Sequence, residues 1–226
     1  MRRASALVLL LVLAAGLAVV LAKIPFGQDK IGVGNHYIEK GVTETGATNI
    51  VTSVVVSYRG FDTLGEVTVL FAAALGVTTL LFVERPQERK KREPASLIVA
   101  TGSRLLFPLI ILFGIYIFLH GHLTPGGGFQ GGAVIASGFL LLYLARPGQT
   151  MRRKNLSAAE SLGGLVFVVV GLLGIVFSGY FLQNFLPKGH PNLLLSAGII
   201  PLVYIAIGVK VGSELGRIIG DLVERD

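Results

Sequence analysis

FLHGHLTPGGGFQGGAVIASGFLLLYL, Phe118–Leu144, sets two histidines, a proline and a run of glycines between two strongly apolar stretches. If the flanks are membrane helices, this interruption is the turn between them, and the chain is built of spans and turns. His120 and His122 stand two residues apart with no Cys, Asp or Glu beside them, whereas zinc takes three or four protein ligands. No metal site is expected there. The glycines are not followed by the Lys-Ser/Thr pair of a phosphate loop, and neither histidine has a Ser or Cys nucleophile in an elbow beside it. What remains is backbone geometry. Pro125 with Gly126, Gly127 and Gly128 makes a tight re-entry into a helix whose first turns carry Gln130, Gly131 and Gly132. Glycines let another helix, or water, approach the backbone closely. Irregular backbone at membrane depth is tolerated only where protein buries it or a water-filled cavity meets it, and an imidazole exchanges protons near neutral pH. On the residues alone, the loop is either a cavity mouth or a packed contact with a neighbouring subunit.

The remainder of the chain fits the same grammar. Of its 226 residues 52% are hydrophobic and only 15% charged, against roughly 45–50% and about 25% in soluble domains. The charges are clumped, and between the clumps run apolar stretches long enough to cross a hydrocarbon core of about 30 Å. Six spans are expected, at about Ala4–Ala22, Leu64–Val83, Ala95–Leu119, Phe129–Ala145, Leu162–Leu182 and Leu193–Val211. The fold class is therefore all-α, a polytopic integral membrane protein. Arg2 and Arg3, the ERKKRE loop and the Arg152-Arg153-Lys154 loop all fall on one side of such an arrangement. By the positive-inside rule that side is the cytoplasm and holds both termini, in the cell membrane. An alternative reading makes the first span a signal peptide cleaved after Val20-Leu21-Ala22, although its apolar run exceeds the usual h-region.

The net charge of +7 does not point to nucleic acid. The basic loops contain no aromatic stacking residue and no binding motif, and membrane orientation explains them. With no cysteine, this chain cannot hold an Fe–S cluster by thiolates, and no cofactor is expected in it. The charged loop Glu84–Pro94 (84–94) is a basic cytoplasmic linker between an N-terminal two-span segment (1–83) and a C-terminal four-span domain (95–226). The tail GSELGRIIGDLVERD spaces Leu215, Ile218, Ile219 and Leu222 helically, which predicts an amphipathic extension of the last span at the cytoplasmic interface.

Ionisable groups inside a membrane are expensive and are site candidates by default. The densest set lies in SYRGFDTLGEVTVLF, Ser57–Phe71. Gly60 is expected to break a short helix over Thr48–Tyr58, and Asp62 or Thr63 to cap the second span. Arg59 lies one turn before and is placed to pair with Asp62. Asp62 and Glu66 share a helix face; Asp62 reads as a dipole-stabilising acid at a helix start. Glu66 is followed at once by an uninterrupted apolar run, so its carboxylate must be protonated, paired or hydrated. It serves either an ion path or a structural pair with a neighbouring subunit. Arg104 reads as a snorkelling cation. Ser103 or a neighbour is expected to satisfy the carbonyl freed by Pro108. Glu160 reads as an acid at the start of the fifth span.

LFGIYIFLHGHLTPGGGFQGGAVIASGFLLLYLA, Leu112–Ala145, resembles the small MnhB-type subunit of the multisubunit Mrp-type Na⁺/H⁺ antiporters. GVTETGATNIVTSVVVSYRGFDTLGEVTVLFAAALGVTTLL, Gly41–Leu81, resembles the C-terminal end of the same family's large A subunit. In membrane-bound hydrogenases and related complexes that segment is a separate small subunit. The resemblance implies a non-catalytic membrane subunit, assembled with other membrane subunits of an antiporter module and helping to form a route for Na⁺ and H⁺. Carried over by position, the family's motifs are Arg59, Asp62 and Glu66 in the first segment. In the second they are His120, His122, Pro125, Gly126, Gly127, Gly128, Gln130 and Gly131. The joining of the two parts in one chain departs from a plain antiporter. It raises as alternatives an energy-converting respiratory complex of hydrogenase or sulfur-reducing type, with a peripheral redox arm bearing Fe–S or NiFe centres, and a purely structural assembly role.

Overall fold

The computed structural model describes residues 2–23, 32–83, 95–146 and 152–223. The basic linker 84–94 lies outside them. Every regular element among the described residues is helical, so the protein is an all-α membrane protein. The chain divides into two compact units, 1–36 and 37–226. The first contains α1 (Arg2–Lys23), with a short apolar stretch at Leu7–Lys23. The boundary falls within α2 (Val33–Thr45).

In the second unit, α3 (Ile50–Thr52) starts where Asn49 adopts extended backbone and accepts hydrogen bonds from the Val51 and Thr52 amides, an N-cap. It runs directly into a π-helical turn, Ser53–Tyr58. The wider turn leaves the Val55 carbonyl to be taken by the Thr63 hydroxyl, at 2.6 Å. The break that was expected at Gly60 falls at Arg59, whose backbone leaves the helical region; Gly60 is already the first residue of α4 (Gly60–Val83). A side chain at Gly60 would press on Leu182, so glycine there admits a close approach.

Then follow α5 (Leu97–Leu119), α6 (Gly128–Ala145), α7 (Arg153–Ser178) and α8 (Ile200–Val223). Helices α4 to α7 are each long and apolar enough to cross a membrane. The sixth expected span is displaced. Its start, Leu193–Ile199, belongs to an irregular connection in which Asn192, Ala197 and Gly198 have φ near 70°, 64° and 58°. Those left-handed residues cannot continue an α-helix, and hydropathy does not register them. Asn184 holds the connection by donating to the Ala197 carbonyl and accepting from the Leu186 and Ile199 amides.

Helix α8 is the hub of this unit, packing on α4, α5, α6 and α7. Val203, Ile207 and Val211 are buried with Phe167 and Val170 of α7. The close approaches rest on glycine. A Cβ on Gly131 would stand 2.6 Å from the Gly114 carbonyl oxygen, and one on Gly132 would stand 2.9 Å from the Gly212 amide. Backbone packed on backbone is how helices associate where lipid supplies no hydrophobic drive. The C-terminal tail extends the last helix as expected, but it packs on protein. Gly216 lies against Phe139 and Gly220 against Tyr143. In α5, Ser103 donates to the Ala100 carbonyl, not to the carbonyl that Pro108 frees. Arg146 at the end of α6 also donates to Ala100.

Candidate functional site

The histidine loop is stitched to the N-terminal segment. Asn49 donates through its amide nitrogen to the carbonyls of Gly121 (2.9 Å) and Thr124 (3.0 Å), and its own backbone N–H donates to the His122 carbonyl. The Thr52 hydroxyl donates to Gly121 and shares a hydrogen bond with the Tyr204 hydroxyl of α8. Three elements distant in sequence therefore meet at this turn. Gly127, Gly128, Gly131 and Gly132 are buried, Gly126 is half-buried, and Pro125 and Gln130 are exposed. A side chain on Gly126 would strike the Ile117 carbonyl.

The two histidines separate. His120 is half-buried, its ring tilted by 31° against Tyr116 with centroids 4.2 Å apart, and its Nδ1 lies 3.1 Å from the Tyr116 carbonyl. His122 is fully buried. Its ring lies against the backbone of Leu193 and Leu194 in its own chain, with neither ring nitrogen in hydrogen-bonding geometry. Burial holds this imidazole below its ordinary 6.5, the backbone of Leu193 and Leu194 offsets part of the shift, and nearby His120 adds to it. Below pH 6.5 the unfolded chain therefore takes up a proton that the folded loop resists, so stability falls as pH falls through that value. The midpoint of thermal unfolding should drop on acidification, and His122→Phe should flatten that dependence.

Arg59 and Asp62 form the expected pair at 2.5 Å, both about half exposed or more. Glu66 sits nearly two turns into α4, on its exposed side, with no hydrogen-bond or ion-pair partner among the described residues. The structure does not join it to the histidine loop through any such bond.

A second constellation was not expected from the sequence. On α8, Lys210 and Glu214 are both buried, with Nζ 2.5 Å from Glu214 Oε2. Lys210 Nζ also lies 5.7 Å from the Phe71 ring centroid of α4, a cation–π distance. Glu214 Oε1 is buried without a hydrogen-bond partner. One turn on, Arg217 reaches Glu160 of α7 at 3.1 Å, and a turn further Asp221 receives Arg153 at 3.1 Å. Glu160 is not the first-turn acid it resembled. Helix α7 begins at Arg153, two turns earlier, and Glu160 is buried against a partner 57 residues away. The available signal was the spacing of Lys210, Glu214, Arg217 and Asp221, steps of four, three and four that keep one helix face. Ending the last span at Val211 cut that face in two. Gly163 and Gly164 of α7 make room for it: a side chain at Gly163 would overlap the Ala206 carbonyl and the Lys210 backbone, and Gly164 borders the Lys210 stem.

A family described as a domain related to the MnhB subunit of Na⁺/H⁺ antiporters matches residues 98–216. A second family, MbhE, described as one of the MBH subunits, matches residues 1–96. An uncharacterized protein of Methanocaldococcus jannaschii is 33% identical over 86% of this chain and 87% of its own. Among solved structures, a chain of the membrane-bound sulfane sulfur reductase, an archaeal respiratory membrane complex, superposes with a TM-score of 0.81. The two share 47% identity over 100% of this chain and 99% of that one. A chain of the Mrp complex from a Dietzia species gives 0.76 at 29% identity, covering 98% of this chain and 26% of that one. With the family match extending over more than half of its length, this chain belongs to the family of the MnhB-related domain of Na⁺/H⁺ antiporters.

Proposed function

We propose that this chain is a non-catalytic membrane subunit of an Mrp-type ion-translocating module working inside a respiratory membrane complex, and that it contributes to the path of Na⁺ and H⁺. The observation that carries the assignment is likeness along the whole chain to one chain of the sulfane sulfur reductase. The Mrp relative matches as a quarter of a longer chain, and this favours the stand-alone antiporter less. Both termini lie in the cytoplasm, on the side of the basic loops. The redox chemistry belongs to a peripheral arm with Fe–S or NiFe centres, because this chain has no cysteine to ligate a cluster. Copurification tests the assignment. A detergent-solubilised complex carrying Fe–S proteins supports it, and one containing only antiporter subunits replaces it with the stand-alone reading.

Within this function Glu66 faces outward from its own chain at membrane depth, where a carboxylate on lipid is costly. A neighbouring subunit or a hydrated ion is its counterpart. Glu66→Gln is expected to abolish coupled Na⁺ movement in reconstituted complex while leaving assembly intact. Unchanged Na⁺ flux would remove Glu66 from the path.

A further inference from the structure

We propose that the charged face shared by α7 and α8 is a proton-conducting half-path, entered beside Arg153 and Asp221 and ending at the Lys210–Glu214 pair inside the helix bundle. The inference rests on the translocating function proposed above and locates one stretch of the path.

Burial rises steadily along this face. The side chains of Arg153 and Asp221 are 46% and 15% exposed, those of Arg217 and Glu160 14% and 6%, and those of Lys210 and Glu214 7% and 0%. From Asp221 to Lys210 the helix climbs roughly 16 Å at 1.5 Å per residue, about half the depth of a hydrocarbon core. One end is therefore accessible to water and the other is sealed.

Holding the helices together does not account for the two inner, enclosed pairs. A buried ion pair is on average no more stabilising than well-packed apolar residues of the same volume, and often less. Glu214 is the costliest member, because one of its two oxygens has no partner in a fully buried site. That oxygen is the free acceptor. A proton passing from water at the Asp221 end, by way of Glu160, converts the Glu214 carboxylate to the neutral acid. Its onward release restores the carboxylate, Lys210 stays an ammonium throughout, and no electrons move. Glu160 and Arg217 are both within electrostatic reach of Glu214. Phe71 of α4 lies over Lys210, and on the adjoining side of α8 Phe139 and Tyr143 of α6 lie against Gly216 and Gly220.

The cargo of this stretch is the proton rather than a metal cation. Lys210, Arg217 and Arg153 balance Glu214, Glu160 and Asp221 one for one. A metal ion would meet three fixed cations and no cage of oxygens, whereas a proton needs a single one.

The test uses the intact complex in proteoliposomes, with proton flux read by a pH-sensitive dye and Na⁺ flux by tracer. Glu214→Gln keeps the volume and a hydrogen bond to Lys210 but leaves the buried ammonium without its counter-ion, so flux is read per assembled complex; that proton flux should fall at least tenfold, and Glu214→Asp should recover part of it. The paired change Lys210→Met with Glu214→Leu removes both charges and should also assemble without conducting. The infrared difference spectrum between two pH values should show a carboxyl band that Glu214→Gln lacks. Wild-type proton flux in Glu214→Gln, or the absence of that band from the wild type, overturns the half-path and leaves the translocating function standing. A wild-type complex that moves neither ion overturns both.

Discussion

Lys210→Met is expected to cost this chain about 3–5 kcal/mol, the usual consequence of removing one member of a buried ion pair. Glu214 would keep a fully buried carboxylate whose second oxygen already lacks a partner. It could escape only by taking up a proton or by opening the contact between α7 and α8. The loss should appear as a lower midpoint of thermal aggregation and a smaller yield of assembled complex. The same methionine combined with Glu214→Leu should recover most of that loss, since a matched apolar pair carries no desolvation cost. A single and a double variant of equal stability would mean that the pair is not sealed from water as its exposure implies.

Gly131→Leu should be more disruptive than any substitution on the outer surface of α4. Gly131 and Gly114 pack backbone to backbone, with a hypothetical Gly131 Cβ only 2.6 Å from the Gly114 oxygen and 3.0 Å from the Phe118 ring. Overpacking a core ordinarily costs about 1–3 kcal/mol. Here the obstacle is main chain that cannot rotate away, so α5 and α6 must move apart, carrying the histidine turn between them. Loss of the assembled complex on a native gel is the expected result. Gly76→Ala on α4, where nothing lies within 4 Å, is the matched control and should assemble as the wild type does. Normal assembly of Gly131→Leu would contradict the close approach.

Hydropathy and charge counting located α4, α5 and α6 to within a few residues because those helices are apolar nearly all round and end at clear punctuation. The same reasoning misplaced both ends of the segment after α7. The helix stops at Gly179, a left-handed cap, while Phe181 and Leu182 continue the apolar run into a buried connection. It also undervalued α8, which carries Lys210, Glu214 and Arg217 and yet is the most enclosed helix of its unit. Such charges read as an interfacial tail when the partners that neutralise them are unknown. Glu160 lies 57 residues from its partner Arg217, and no local pattern links them. The glycine-rich turn was legible as backbone geometry, since Pro125 and the following glycines allow little else. The enclosure of His122 was not, because Leu193 and Leu194 approach it from a loop that the sequence suggested was helix.

The hydrogen bonds from Asn49 and Thr52 to the turn at Gly121–Thr124, and the one between Thr52 and Tyr204, cross between the segments matched by two different families. On separate polypeptides these contacts would form only at a rate and extent set by the abundance of each. On one polypeptide the encounter is intramolecular, and the free concentration of each part is replaced by an effective concentration set by the connecting chain. Covalent continuity thus fixes the two parts at equal copy number, and neither can be made without the other. A contact too weak to hold two small membrane proteins together is then strong enough to keep the turn closed in every copy.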